Sequence, residues 1–85
     1  MDETLKQKLL SSLPEDDNLF IDNFSIFPES HFVEVRGRFH GQTFKIEWNY
    51  HQSDEVKIEM RDVFGTMKTS SVRLASLKRC FTKSM

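Results

Sequence analysis

The sequence predicts a small α+β protein in which a four-stranded antiparallel sheet is flanked by an N-terminal and a C-terminal helix, in the order α-β-β-β-β-α. Three patterns predict this fold. Leucines recur at helical spacing near the start, apolar and polar residues alternate in the middle, and a second apolar stripe lies near the end. The 85 residues (1–85) have the length of one domain with one core. With 38% hydrophobic and 29% charged residues, the composition is typical of a globular domain.

The first predicted element is a helix whose apolar residues recur on one face. These residues are Leu5, Leu9, Leu10 and Leu13. Their spacing matches the period of about 3.6 residues per turn, so they form one stripe that can pack on a sheet. Pro14 disfavours helical geometry at the residue before it and therefore ends the helix.

A first strand is predicted over Leu19–Phe27, but the sequence leaves open which of its faces is buried. Strict alternation puts Phe20, Phe24 and Ile26 on one face. It puts Leu19, Ile21 and Phe27 on the other. We therefore expect both faces to be partly covered, either by connecting segments that fold back or by a partner or second copy of the chain.

The clearest local pattern is a β-hairpin over residues 33–50, in which apolar and polar side chains alternate on both sides of a glycine. One face of this hairpin is apolar and the other is polar. The apolar side chains expected to face the core are Val33, Val35, Phe39, Phe44, Ile46, Trp48 and Tyr50.

The register of this hairpin depends on the position of its turn. A turn at 40–41 sets two like-charged pairs opposite each other, whereas a turn at 41–42 leaves one. The pairs in the first register are Glu34 with Glu47 and Arg36 with Lys45. Because each cross-strand pair contributes about 0.2–1 kcal/mol, the sequence favours the turn at 41–42, with glycine first as in a type II′ turn.

Two further elements complete the predicted fold. Alternation over residues 56–60 predicts a fourth strand that ends near Phe64. A last helix is predicted to begin at Ser70 or Ser71, either of which can cap its first turn. Its apolar stripe is Leu74, Leu77, Cys80 and Phe81.

The charges are sorted along the chain, although the formal net charge is only −1. Residues 1–30 carry seven carboxylates against two lysines, and residues 63–85 carry five cations and no carboxylate. Two poles of opposite sign orient a charged partner as it approaches, even when the net charge is near zero.

Nothing in the sequence predicts catalysis, a cofactor or a metal site. The chain has no phosphate-binding glycine loop, no dinucleotide fingerprint and no nucleophile motif. Cys80 falls on an apolar stripe, where an unreactive buried thiol is expected. His31, His40 and His51 lack the spacing of metal ligands. We therefore expect a protein that is not an enzyme and has no catalytic residues.

The expected compartment is the cytoplasm. A single cysteine cannot form an intrachain disulfide, which fits a reducing environment. No apolar run approaches the roughly 20 residues that cross a bilayer, and the first residues do not resemble a secretion signal. No membrane partner is expected.

The favoured interpretation is a non-enzymatic protein-interaction module, such as a small regulator, adaptor or inhibitor, that also self-associates. It binds a partner protein through a charged surface that contains an aromatic side chain. The predicted partner-binding residues are Phe32, Arg36, Arg38, Lys45, Lys57, Arg61, Arg73, Lys78 and Arg79. Carboxylates lie among the sheet cations, and a protein can match both signs whereas phosphate matches one. The alternative is an RNA- or DNA-binding domain that uses the basic sheet face and the basic C-terminal helix.

Overall fold

The computed structural model describes residues 2–81, which form one antiparallel sheet of five strands with a helical segment at each end. In chain order the elements are helix α1 (Asp2–Leu10), strands β1 (Leu19–Phe27), β2 (Phe32–Phe39), β3 (Gln42–Asn49), β4 (Glu55–Arg61) and β5 (Met67–Arg73), and a C-terminal 3₁₀ helix (Leu74–Cys80). A 3₁₀ turn, Pro28–Ser30, joins β1 to β2. Consecutive strands are neighbours, so the sheet is a meander with β1 and β5 at its edges.

One face of the sheet, which we call the core face, packs against both helical segments. The buried side chains are Leu9, Leu13, Val33, Val35, Phe39, Phe44, Ile46, Trp48, Val56, Ile58, Leu74, Leu77 and Phe81. The predicted inward orientation of the β2–β3 hairpin is confirmed, since Val33, Ile46 and Trp48 are at most 2% exposed. Because the leucines of both helical segments belong to this cluster, no helix among residues 2–81 covers the opposite, outer face.

The predicted four-stranded sheet with two flanking helices is wrong, because the sheet has a fifth strand. Residues 67–73 form β5 where a helix was expected to begin, and Ser70 and Ser71 lie inside this strand. Alternation did not reveal β5 because only one of its core-facing residues is apolar. The core-facing positions are Lys68, Ser70 and Val72.

A tight loop of three residues, 63–65, makes this fifth strand possible; it is closed by the hydrogen bond from the Asp62 N–H to the Thr66 carbonyl. The Asp62 carboxylate accepts hydrogen bonds from the backbone N–H groups of Phe64 and Thr66, both at 2.9 Å. The Gly65 N–H donates to the Asp62 carbonyl at 3.0 Å, and Gly65 has a φ of 86°, which glycine adopts at low cost. A turn followed by a left-handed glycine is a common three-residue hairpin connection.

The C-terminal segment is a 3₁₀ helix and not the predicted α-helix. With three residues per turn, the positions of Leu74, Leu77 and Cys80 fall on one side. The following Phe81 packs edge-on against Phe39 and Phe44, with ring centroids 5.3 and 5.1 Å away. The predicted apolar stripe therefore faces the core, although the type of helix differs.

Strand β1 contains a bulge, which explains why its apolar residues were predicted on two different faces. Ile21 pairs with Gly37 and Asn23 pairs with Arg36, so Asp22 is an extra residue with no opposite partner. The extra residue shifts the alternation by one position. Four apolar residues therefore share the core face: Leu19, Ile21, Phe24 and Ile26.

The turn of the β2–β3 hairpin lies at His40 and Gly41, so the predicted turn at 41–42 is wrong. Both residues have a positive φ, 47° and 81°, as a type I′ turn requires. The α1–β1 connection holds this turn in place. The His40 imidazole lies 2.8 Å from the Asp16 carboxylate, and the His40 backbone N–H donates to the Asn18 carbonyl at 3.1 Å.

Candidate binding surface

The outer face brings together most of the predicted partner-binding residues. Alternation along the strands puts seven of them on this face: Phe32, Arg36, Arg38, Lys45, Lys57, Arg61 and Arg73. Lys78 and Arg79 belong to the C-terminal 3₁₀ helix, which packs on the core face. They therefore lie on the other side of the sheet. Lys83, a further cation of the basic segment, is outside the described residues.

Charges of both signs alternate along each strand in the middle of the outer face. One row runs through Glu34, Glu47 and Lys57, and the next through Arg36, Lys45 and Glu59. The Lys45 ammonium lies 3.5 Å from Glu47 and 3.4 Å from Glu59. The Arg36 guanidinium lies 3.1 Å from Glu34 in the same strand.

This arrangement explains why the hairpin tolerates its two like-charged pairs. Glu34 lies opposite Glu47, but Arg36 and Lys45 each bond one of these carboxylates. The energy of this register therefore cannot be judged from directly opposed pairs alone, because oppositely charged neighbours along and across the strands compensate the repulsion within each like-charged pair. The carboxylates of Glu47 and then of Glu59 raise the pKa of Lys45 above its ordinary value of 10.5, so this cation stays charged at neutral pH.

A second charged cluster forms at the bulge of β1. Arg38 donates two hydrogen bonds to the Asp22 carboxylate, both at 3.1 Å. Its guanidinium also lies 5.2 Å from the centroid of the Phe20 ring, close enough for a cation–π contact. The bulge thus fixes an arginine between a carboxylate and an aromatic ring that is 49% exposed.

An open concavity of about 450 Å³ lies between these two clusters. Charged side chains of both signs line it, together with Met67. The charged side chains are Asp22, Arg36, Lys45, Glu59 and Arg61. This depression can receive polar or charged side chains from another molecule, but it is not an enclosed reaction chamber.

Apolar side chains border the outer face. Phe27 and Phe32 pack together at one end of β1 and β2, with ring centroids 6.1 Å apart, and Phe27 is 47% exposed. At the tip of the β4–β5 loop, Val63 and Phe64 are 71% and 89% exposed. Sequence reasoning placed Val63 on the solvent side but missed Phe64. The available signal was two large apolar residues in a tight turn that ends in glycine, a place where polar residues usually occur.

Two further groups of side chains bear on possible chemistry: the single cysteine and the potential metal ligands. Burial raises the pKa of the Cys80 thiol above its ordinary value of 9.0, an effect that Lys68 partly opposes, so the unreactive thiol form predominates at neutral pH. Within residues 2–81, no three potential metal-ligating side chains lie close enough together to hold an ion.

The chain matches no protein-family model, no curated protein and no solved structure. In the part of the chain that the structure describes, no helix combines the length and apolar character needed to cross a membrane.

Proposed function

We propose that this protein is a non-enzymatic protein-interaction module that binds a partner protein on the outer face of its sheet. The observation that supports this proposal is the uncovered lattice of alternating charges between β2 and β4. A small regulator, adaptor or inhibitor of this kind acts by occupying a surface of its partner. We also propose that it does so in the reducing cytoplasm, which suits its single cysteine.

The alternating charges favour a protein partner over a nucleic acid. Phosphates that approach Arg36 or Lys45 also approach Glu34, Glu47 and Glu59. A protein surface can place a cation over each of these carboxylates and a carboxylate over each cation. Electrostatic complementarity of this type selects the partner and the register more than it adds affinity.

The apolar border supplies the residue types that usually dominate binding energy. Aromatic, methionine and arginine side chains are enriched at the centres of protein interfaces. Here Phe20, Phe27 and Met67 are each almost half exposed beside the charged lattice. We expect the partner to cover at least one of these side chains together with the lattice.

Two charge reversals on opposite sides of the sheet test the proposal. Arg61→Glu alters the outer face, and Lys78→Glu alters the C-terminal 3₁₀ helix. Both cations are exposed, and neither forms an ion pair within residues 2–81, so the two variants change the charge equally at little structural cost. We expect a partner captured from the native host by the wild type and by Lys78→Glu to be lost with Arg61→Glu. Equal capture by both variants would contradict the assignment to the outer face.

The nucleic-acid alternative has a separate readout. Fluorescence anisotropy with a labelled single strand and a labelled duplex, each at two salt concentrations, measures the number of phosphates contacted. Affinity for a duplex falls with salt with a log–log slope of about −0.9 per neutralised phosphate. If either nucleic acid binds with salt-dependent affinity and Arg61→Glu weakens that binding, the proposed partner would be a nucleic acid and not a protein. Sedimentation velocity on the wild type tests the predicted self-association.

A further inference from the structure

We propose that the free edge of β5 binds an extended, acidic peptide segment of another protein, which pairs with β5 as a sixth strand. β5 is the last strand of the meander, and no strand in residues 2–81 lies on its far side. The outward backbone groups of this edge are not part of the outer face, although the Arg73 side chain borders both, so the inference does not depend on the proposed function.

Alternate residues of β5 direct their backbone groups away from β4. The Asp62 N–H donates to the Thr66 carbonyl, and the Leu74 N–H donates to the Asp54 carbonyl, at 3.1 and 2.7 Å. These bonds lie at the two ends of the β4–β5 ladder. Because hydrogen-bonded pairs alternate in an antiparallel ladder, even-numbered residues bond β4 and odd-numbered residues face the edge. The N–H and C=O groups of Met67, Thr69, Ser71 and Arg73 are therefore directed outward.

The edge of β5 is regular, unlike that of β1. β5 pairs with β4 over seven residues without a register shift and contains no proline. A bulge interrupts the other edge strand at Asp22, and bulges are a common protection of sheet edges. The protective feature that β5 does have is Lys68, whose charge repels a basic strand but attracts an acidic one.

Cations lie on both sides of this edge and form no ion pair with nearby carboxylates among the described residues. Lys68 and Arg79 line a cavity of about 330 Å³ on the core-face side, which Asp62 also lines. Arg73 lies on the outer side, beside Asp54 and Glu55. None of the three forms an ion pair within residues 2–81, not even Arg73 with Glu55 directly opposite. Side chains of an added strand alternate between the two sides, so carboxylates on either side meet a cation.

Pairing of β5 with the β5 of a second copy suits the site less well. Residues 63–85 contain no carboxylate, so pairing of β5 with its own copy doubles the positive charge at the seam. Like charges brought together across strands destabilise the pairing. An acidic segment instead gains backbone hydrogen bonds for affinity and ion pairs for selectivity.

The first test uses short labelled peptides and the wild-type protein. A fluorescein-labelled peptide of alternating glutamate and valine is titrated by anisotropy, beside the same peptide with lysine in place of glutamate. A third peptide keeps the acidic side chains but carries methyl groups on alternate backbone nitrogens. We expect the acidic peptide to bind, the basic peptide not to bind, and methylation to weaken binding about tenfold or more through loss of the backbone hydrogen bonds.

The second test changes one backbone group of the protein. Thr69→Pro removes an outward-directed N–H without removing a β4–β5 hydrogen bond, and proline is tolerated at such edge positions. Thr69→Ala is the matched control, because it removes the same side chain and keeps the N–H. Binding of the acidic peptide should fall about tenfold or more in Thr69→Pro and stay within about twofold of wild type in Thr69→Ala.

Three outcomes would overturn the inference. Equal binding of the methylated and unmethylated acidic peptides would show that charge alone attracts them. Equal binding by a folded Thr69→Pro variant would place the peptide elsewhere, and if that variant does not fold, the methylated peptide decides. A wild-type dimer that Thr69→Pro dissociates would make a second copy the occupant. Since Arg61→Glu changes the outer face and not a β5 residue, it should leave peptide binding intact even if partner capture fails.

Discussion

At the scale of single residues, Gly37 is the position where the β1 bulge leaves least room. A Cβ atom there would overlap the backbone carbonyl oxygen of Phe20 and lie 2.7 Å from the Phe44 ring. The carbonyl belongs to the strand beside the bulge and cannot rotate away as a side chain can. The bulge and the glycine opposite Ile21 therefore depend on each other.

We expect Gly37→Ala to lower the free energy of unfolding by about 3 kcal/mol or more, because the added methyl group forces β1 away from β2. Urea denaturation followed by circular dichroism measures this loss. Gly65→Ala is the control, since its φ of 86° disfavours alanine but no atom lies within 4 Å of the new methyl group. That variant should lose only about 1–2 kcal/mol. Equal losses in the two variants would contradict the steric explanation.

Trp48 is the largest fully buried side chain, and its polar atom is satisfied. The indole N–H donates to the Ser53 carbonyl at 2.9 Å, and the Lys8 ammonium lies 5.6 Å from the centre of the ring. Trp48→Ala should cost about 3–5 kcal/mol, a large part of the roughly 4–9 kcal/mol expected for a domain of this size. Thermal unfolding by circular dichroism tests it, and an unchanged midpoint would show that the indole contributes little to the core.

At the scale of elements, the β4–β5 loop determines where the fifth strand begins. Asp62→Ala removes the acceptor of the Phe64 and Thr66 N–H groups, and we expect a loss of about 1–2 kcal/mol in unfolding free energy. Phe64→Ala should change stability by less than about 0.5 kcal/mol, because that side chain is 89% exposed. Chemical denaturation of both variants compares them. A larger loss for Phe64→Ala would mean that the ring packs against the fold.

The strand faces that the sequence predicted correctly are those of strands in which apolar and polar residues alternate regularly. The β2–β3 hairpin alternates strictly, so its core face was predictable. β5 was not, since Lys68 and Ser70 occupy core-facing positions. No characteristic residue type marks the bulge at Asp22 in the sequence. The turn at His40 depends on a contact with Asp16, which comes from a distant segment.

The candidate site was likewise predictable in part. The sheet cations could be assigned to one face because alternation relates residues in one hairpin. Lys78 and Arg79 could not be assigned to a side, because that depends on which face the C-terminal segment packs against. The free edge of β5 is a property of strand order, which no local pattern contains.

At the scale of the whole molecule, the meander places strands of opposite charge at the two edges of the sheet. β1 carries one carboxylate, Asp22, and no cation, whereas β5 carries Lys68 and Arg73 and no carboxylate. Because these strands are opposite edges of a five-stranded sheet, they lie about 19 Å apart at about 4.8 Å per spacing. The two edges of one molecule are therefore electrostatically complementary to those of another, an arrangement that favours open head-to-tail chains.

We expect the bulge at Asp22 to block such chains, and its deletion tests this. Without Asp22, pairing between β1 and β2 becomes regular and all four core-facing residues stay on the core face, so the variant should fold. Its straightened β1 edge can then pair with β5 of the next molecule. We expect sedimentation velocity to show open-ended assembly that grows with protein concentration and disappears when Thr69→Pro is added. A folded deletion variant that stays monomeric, or that assembles despite Thr69→Pro, would show that the bulge does not protect this sheet from edge-to-edge association.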